Sequence, residues 1–230
     1  MQGVTMTKFT FATSKEGFDN HIEKSVRGYT NLWNDVLSIS KYFVEDHTNV
    51  VDVGCSTGKL LKAMMEQNKQ HIPNANYIGV EIEEDFFMNY EQDEKNYQNL
   101  KYVKGDIRKF NFNNCSLVTS IFTLQFMPPK DRTNIINKIY DGLNHGGAFV
   151  FSEKTFSCDP QIQDMMTFMF YDYKRQFFTE KEILDKEVQL RHMMKPNTKT
   201  EIFDMCHKAG FTTHVFWQNF NFVGVVALKK

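Results

Sequence analysis

Residues 49–58, Asn-Val-Val-Asp-Val-Gly-Cys-Ser-Thr-Gly, constrain this chain more than any other stretch. The run before Gly54 is short, apolar and β-branched, as in a strand buried on both faces. Such strands belong to parallel sheets, which need crossover connections and therefore covering helices. Gly54 and Gly58 then mark a strand-to-helix turn, where missing side chains allow a sharp bend and let backbone approach a ligand closely. The Gly-x-x-x-Gly spacing is not the G-x-G-x-x-G of dinucleotide sites and lacks the Gly-Lys-Ser/Thr of a phosphate loop, so no diphosphate clamp is encoded.

The same strand-helix step recurs downstream. Apolar runs at 77–81, 101–106, 116–122 and 148–153 predict four more strands, with helices expected over 58–67, 83–97 and from Pro128 onward. In the last of these, Ile135, Ile136, Ile139, Tyr140 and Leu143 recur at helical spacing, and Gly146-Gly147 is expected to stop it. Residues 1–46 form a helical lead-in and 155–200 a helical insertion near an acceptor pocket. Runs 211–217 and 220–228 are joined too tightly for a crossover, so they form an antiparallel hairpin. The expected fold is a doubly wound α/β domain spanning residues 1–230, with a mostly parallel seven-stranded Rossmann-like sheet ending in that hairpin.

Hydrophobic residues at 41% and charged residues at 24% suit a globular chain. A formal charge of -1 gives no field steering the chain to nucleic acid, so direct nucleic-acid binding is not expected. Cys55, Cys115, Cys158 and Cys206 are widely spaced, which implies neither a zinc cage nor a disulfide framework. No apolar run reaches the roughly 18 residues of a membrane span, and no secretory pattern opens the chain, so the expected location is cytoplasmic.

The chemistry converges at strand ends. Glu81 ends the second strand, where a carboxylate accepts hydrogen bonds from ribose hydroxyls. Asp106 ends the third, suited to an adenine amino group, and Ile107 offers the ring an apolar wall. Asp52, inside an apolar strand, either organises the loop or reaches a ligand ammonium. His21, His47, His71, His145 and His207 have no partner motif and are not nominated. Lys174 and Arg175, beside Tyr171 and Tyr173, read as a solvated basic face.

The loop Asp-x-Gly-Cys-Ser-x-Gly, the later Gly-Asp-Ile and the run 122–126, Phe-Thr-Leu-Gln-Phe, resemble class I S-adenosylmethionine-dependent methyltransferases. More narrowly, segments at 138–144, 146–148, 152–154, 172–175, 208–211 and 219–222 are similar to the carboxy-S-adenosylmethionine synthases, so the likeness spans residues 25–229. The resemblance implies a homodimer that transfers a carboxyl group from prephenate to the sulfonium methyl of S-adenosyl-L-methionine, supplying a donor for transfer RNA wobble-uridine modification. It implies ligand contacts at Tyr29, Gly54, Cys55, Ser56, Glu81, Asp106 and Ile107, and Asp52, Gly58, Ile82 and Ile121 complete the expected cofactor site. The ligand is S-adenosyl-L-methionine or a carboxylated derivative, with no metal.

Two positions depart from the family. Ile121 stands where the family has an asparagine, and an isoleucine side chain cannot hydrogen-bond. Glu187 stands where the family has an arginine that pairs with the product carboxylate. A cation about 4 Å from a carboxylate gains roughly 4 kcal/mol at an effective dielectric near 20, and an anion loses a comparable amount. Arg191, one helical turn on, is the candidate replacement, and Tyr29, Glu187 and Arg191 are the candidates for catalytic roles. Three readings follow: the carboxyl-transferring synthase; a methyltransferase with a changed acceptor pocket, in which Glu187 faces a cationic substrate, acts as a base or is simply exposed; and a noncatalytic cofactor-binding protein.

Overall fold

The structure, a computed structural model, describes residues 17–230. The first 16 residues of the expected lead-in lie outside the described residues. Within it, α1 (Phe18–Ser25) and α2 (Tyr29–Phe43) precede the first strand. Strands and helices then alternate: β1 (Asn49–Val53), α3 (Lys59–Asn68), β2 (Asn76–Glu81), a 3-10 turn (Glu84–Asn89), α4 (Tyr90–Asn96), β3 (Leu100–Lys104), β4 (Cys115–Ile121), α5 (Pro129–Gly142) and β5 (Leu143–Phe156). After them come α6 (Pro160–Lys174), α7 (Glu180–Met193), the two-residue β6 (Asn197–Thr198), α8 (Lys199–Ala209), β7 (Thr212–Asn219) and β8 (Phe222–Leu228).

Seven strands run in the order β3-β2-β1-β4-β5-β8-β7, with β6 added beside β5. β1 through β5 pair in parallel, while β8 is antiparallel to β5 and to β7, which gives the expected hairpin. The pleat sends successive side chains to opposite faces. Val50, Leu117, Ala148 and Val150 enter one buried cluster, with Leu32, Leu61 and Met64 of the covering helices. Val51, Val53, Val118, Phe149 and Phe151 enter the other, with Ile135, Ile136 and Ile139 of α5. Burying side chains of this size stabilises by about 1.5–3 kcal/mol each.

Two expected boundaries shift. The helix from Pro128 ends at Gly142, ahead of Gly146-Gly147, because Leu143 already pairs with Cys115 of β4; the extra residues are taken up by an irregularity in that ladder. The helix over 83–97 is split into a 3-10 turn and α4, and at their junction the buried Tyr90 reaches under the glycine turn.

Chain order reverses between β1 and β4, and in an open α/β sheet the crevice outside such a switch point is where ligands bind. A cavity lies there.

Candidate functional site

The cavity has a volume of about 760 Å³. Its floor comes from the ends of β1, β2 and β4, through Asp52 and Gly54, Glu81, and Ile121; α1, α2, α6 and α7 contribute the walls. The walls are largely apolar, with Phe18, Trp33, Phe86 and Phe170 among them.

The glycine turn is held by protein contacts on its far side. Gly54 and Gly58 have φ of +71° and +73°, the left-handed region that favours glycine. A Cβ on Gly54 would lie 2.3 Å from Thr123 Oγ1, and one on Gly58 would lie 2.1 Å from the Tyr102 hydroxyl oxygen. Protein thus fills the space a side chain would need at both glycines, and Gly54 also lines the cavity. Tyr102 stacks on Tyr90 with centroids 3.8 Å apart, and the Tyr90 hydroxyl donates to the Ser56 carbonyl. Ser56 and Phe122, both at the cavity, adopt positive φ of 45° and 56° without being glycine. Such backbone persists only where its surroundings over-determine it.

Glu81 is the keystone of this turn. Its carboxylate accepts from the backbone N–H groups of Ser56 (2.8 Å), Ile82 (2.8 Å) and Glu83 (2.9 Å), so one side chain ties the β1 turn to the end of β2. A carboxylate has roughly four acceptor positions, which leaves one for a ligand hydroxyl with the turn intact. Burial raises its pKa and the three amides oppose that rise.

Asp52 is buried and accepts from the Thr119 hydroxyl at 2.7 Å. Burial pushes its carboxyl up to about 7, from an ordinary value near 3.9. Between those values the folded protein binds more protons than the unfolded chain, so this group makes stability fall as pH rises from about 4 to about 7 and adds no slope above that. Asp52→Asn is expected to flatten that segment of the profile in urea unfolding across pH 4–8. Glu153, raised to about 8 by burial, contributes a slope of the same sign in both proteins. Parallel profiles for wild type and variant would show that Asp52 carries no such proton.

Asp106 lines the cavity but is already engaged. Arg108 donates to it through Nε at 2.8 Å and Nη2 at 2.6 Å and also bonds Asp131, holding the Asp106 carboxyl below the usual range. Sequence reading passed over Arg108, which also lines the cavity and lacked a motif.

Tyr29, Cys55, Ser56, Ile82, Ile121 and Glu187 stand on the cavity wall with Asp52, Gly54, Glu81 and Asp106. Three expected residues are not among the lining residues. Gly58 sits behind the turn against Tyr102, Ile107 is buried in the core on the α5 side of the sheet, and Arg191 is exposed on α7. The residues of α7 that line the cavity are Lys186, Glu187, Leu190, His192 and Met193, while Arg191 between them is exposed.

Glu187 itself is neither an isolated base nor a solvated acid: its carboxylate lies 3.8 Å from Lys154 Nζ. The basic-face reading of Lys174 is also corrected, since this lysine is 5% exposed and lines the cavity, whereas Arg175 is solvated and pairs with Asp172 and Glu180. α6 turns successive positions by about a quarter turn or more, so neighbours in sequence face opposite environments. Lys154, at the end of β5, was likewise missed; a single lysine in a strand carries no motif.

Behind the wall, Arg132 is buried at 3% exposure and donates to the carbonyls of Gln125 (3.1 Å) and Met127 (2.9 Å) and to Asn197. The Lys195 N–H donates to the Gln125 carbonyl, so the turn after β4 and the segment after α7 form one wall. Among the described residues no group of His, Cys, Asp and Glu is placed to hold a metal, and no helix is long and apolar enough to cross a membrane.

Fold and site together define an α/β domain of the methyltransferase type, and a methyltransferase-domain profile matches residues 50–147. Solved structures agree at the level of fold. Magnesium protoporphyrin IX methyltransferase from Synechocystis PCC 6803, with S-adenosylhomocysteine bound, superposes with a TM-score of 0.62 at 12% identity over 96% of each chain. Human N-acetylserotonin methyltransferase in complex with S-adenosylmethionine gives 0.56 at 16% identity, covering 87% of this chain and 52% of that one. In sequence, a carboxy-S-adenosyl-L-methionine synthase of Staphylococcus epidermidis is 39% identical over 92% of both chains, and one of Shewanella oneidensis is 34% identical over 97% of this chain and 94% of its own. This chain belongs to the carboxy-S-adenosyl-L-methionine synthase family.

Proposed function

We propose that the protein binds S-adenosyl-L-methionine in the strand-end cavity and carries out the family reaction, moving a carboxyl group from prephenate to the cofactor methyl. The observation that carries this reading is the arrangement of acids and lysines along one cavity. Asp52, Glu81 and Asp106 line it near the glycine turn, suited to an ammonium, ribose hydroxyls and an adenine amino group, while lysines line it where β5, α6 and α7 meet. The bound cofactor supplies a sulfonium that activates its methyl carbon.

The chain's own residues position and shield. Glu81 holds the turn and offers its remaining acceptor site to a hydroxyl. Trp33, Phe86 and Phe170 exclude water, which strengthens the electrostatic contacts inside. Burial and the fields of Asp19 and Asp52 push the Tyr29 phenol pKa up, so Tyr29 keeps its proton and has a donor to offer a ligand. Ile121 makes apolar contact where a polar one is expected of the family.

The product would serve transfer RNA wobble-uridine modification in the cytoplasm. The protein would act as a homodimer, to which the exposed apolar side chains Met165, Phe168 and Met169 of α6 and Leu184 and Val188 of α7 are suited.

Incubation of the purified protein with S-adenosyl-L-methionine and prephenate is expected to yield carboxy-S-adenosyl-L-methionine, detected by mass spectrometry, and no such product without prephenate. Ile121 favours one second reading, a methyltransferase with a changed acceptor pocket. Its signature would be S-adenosylhomocysteine with no carboxylated product.

A further inference from the structure

Three lysines, Lys154 from β5, Lys174 from α6 and Lys186 from α7, line one region of the cavity. Lys154 and Lys174 both lie over the Phe170 ring, each Nζ 5.0 Å from its centroid. Neither is a surface residue: the Lys154 side chain is 11% exposed and Lys174 as a whole 5%. Among the described residues, Glu187 is the carboxylate whose field acts on both.

Two buried ammonium groups therefore share one nearby carboxylate, at 3.8 Å from Lys154. Buried charge without full compensation is costly and calls for a partner of opposite sign. The rings and methylenes here give no hydrogen-bond acceptor, and cation–π contact with Phe170 offsets only part of the lost hydration. Desolvation lowers both amines, Lys174 to about 8, a value that still leaves it mostly protonated at neutral pH. An anion entering the cavity would meet two ammonium groups already stripped of water, where charge-assisted hydrogen bonds are strong.

We infer that Lys154 and Lys174 form a carboxylate-holding subsite on the cavity wall, and that Glu187 is a positioning residue which orients Lys154 and keeps the subsite from being over-charged. This inference rests on the proposed function for the identity of the ligand. It moves carboxylate recognition in this chain from helix α7, where position 187 has the wrong charge, to β5 and α6.

The test is calorimetric titration of S-adenosyl-L-methionine and of carboxy-S-adenosyl-L-methionine into wild type, Lys154→Met, Lys174→Met and Glu187→Gln. Each lysine variant is expected to bind S-adenosyl-L-methionine within about threefold of wild type, which also reports that it is folded, and to lose tenfold or more toward the carboxylated ligand. Glu187→Gln is expected to improve the preference for the carboxylated ligand by a few fold. An unchanged preference in both lysine variants, or a loss in Glu187→Gln as large as theirs, overturns the subsite. A second arm uses wild type alone: acylation of Lys154 and Lys174 by a small amine reagent, mapped by mass spectrometry, is expected to slow when malonate is added. Protection by malonate in a protein that binds neither nucleoside would keep the subsite and remove the family reaction. Absence of protection together with an unchanged preference would remove the subsite alone.

Discussion

Glu81→Ala is expected to lower affinity for S-adenosyl-L-methionine about a hundredfold or more, equivalent to roughly 2.7 kcal/mol, in a direct binding titration. Two losses combine. The substitution removes the acceptor offered to the ligand, and it leaves the N–H groups of Ser56, Ile82 and Glu83 without their partner. An unsatisfied buried donor costs about 1–3 kcal/mol, so the turn that shapes the cavity floor would relax. Glu81→Gln keeps one acceptor oxygen but points an NH2 group at a backbone donor, and an intermediate loss is expected. Affinity within threefold of wild type for the alanine variant would show that Glu81 serves the turn and does not touch the ligand.

The second large effect is on stability. Gly54→Ala is expected to destabilise the fold by about 2–5 kcal/mol in urea unfolding: roughly 1–2 from forcing an L-residue into the left-handed region and about 1–3 from overpacking. The new methyl would overlap Thr123, whose Oγ1, Cγ2 and Cβ would lie at 2.3, 2.6 and 3.0 Å. Because even Cβ is that close, rotating the threonine side chain cannot clear the space. Adding Thr123→Ala removes the two shortest contacts but keeps Cβ, so it should recover part of the packing share while leaving the backbone share. Gly105→Ala, where nothing lies within 4 Å of the added carbon, is the control, with an expected change within about 0.5 kcal/mol. If the double variant were no more stable than Gly54→Ala alone, Thr123 would not be the obstacle.

Both effects depend on one turn, and that turn was the most legible part of the chain. A β-branched run that ends in glycine at a helix start can serve few purposes, because strand burial and a positive φ each restrict the residues allowed. The parallel sheet followed from alternation, since parallel neighbours require crossovers, and the closing hairpin followed from a connection too short for one; the order of the strands came only from the structure. Asp52, Glu81 and Asp106 were legible for the same reason: an acid at the C-terminal end of a buried strand has few places to go except the crevice. At Ile107, one residue further on, the chain enters a short 3-10 turn and the side chain packs into the core.

Local pattern by itself thus determined the parallel sheet, its closing hairpin and the acidic side of the cavity, all set by period and by turn chemistry. Only the tertiary structure decided the lysine side. Lys154, Lys174 and Lys186 lie on three different elements, and no spacing along the chain states that they meet. The same holds for Glu187, whose reversed charge read as a loss until Lys154 was found 3.8 Å away, and for Arg191, which shares a helical turn with position 187 but faces solvent. The reason is physical: periodicity reports which face of an element is buried, whereas the charge balance of a cavity depends on which elements pack around it and how far each is rotated about its axis.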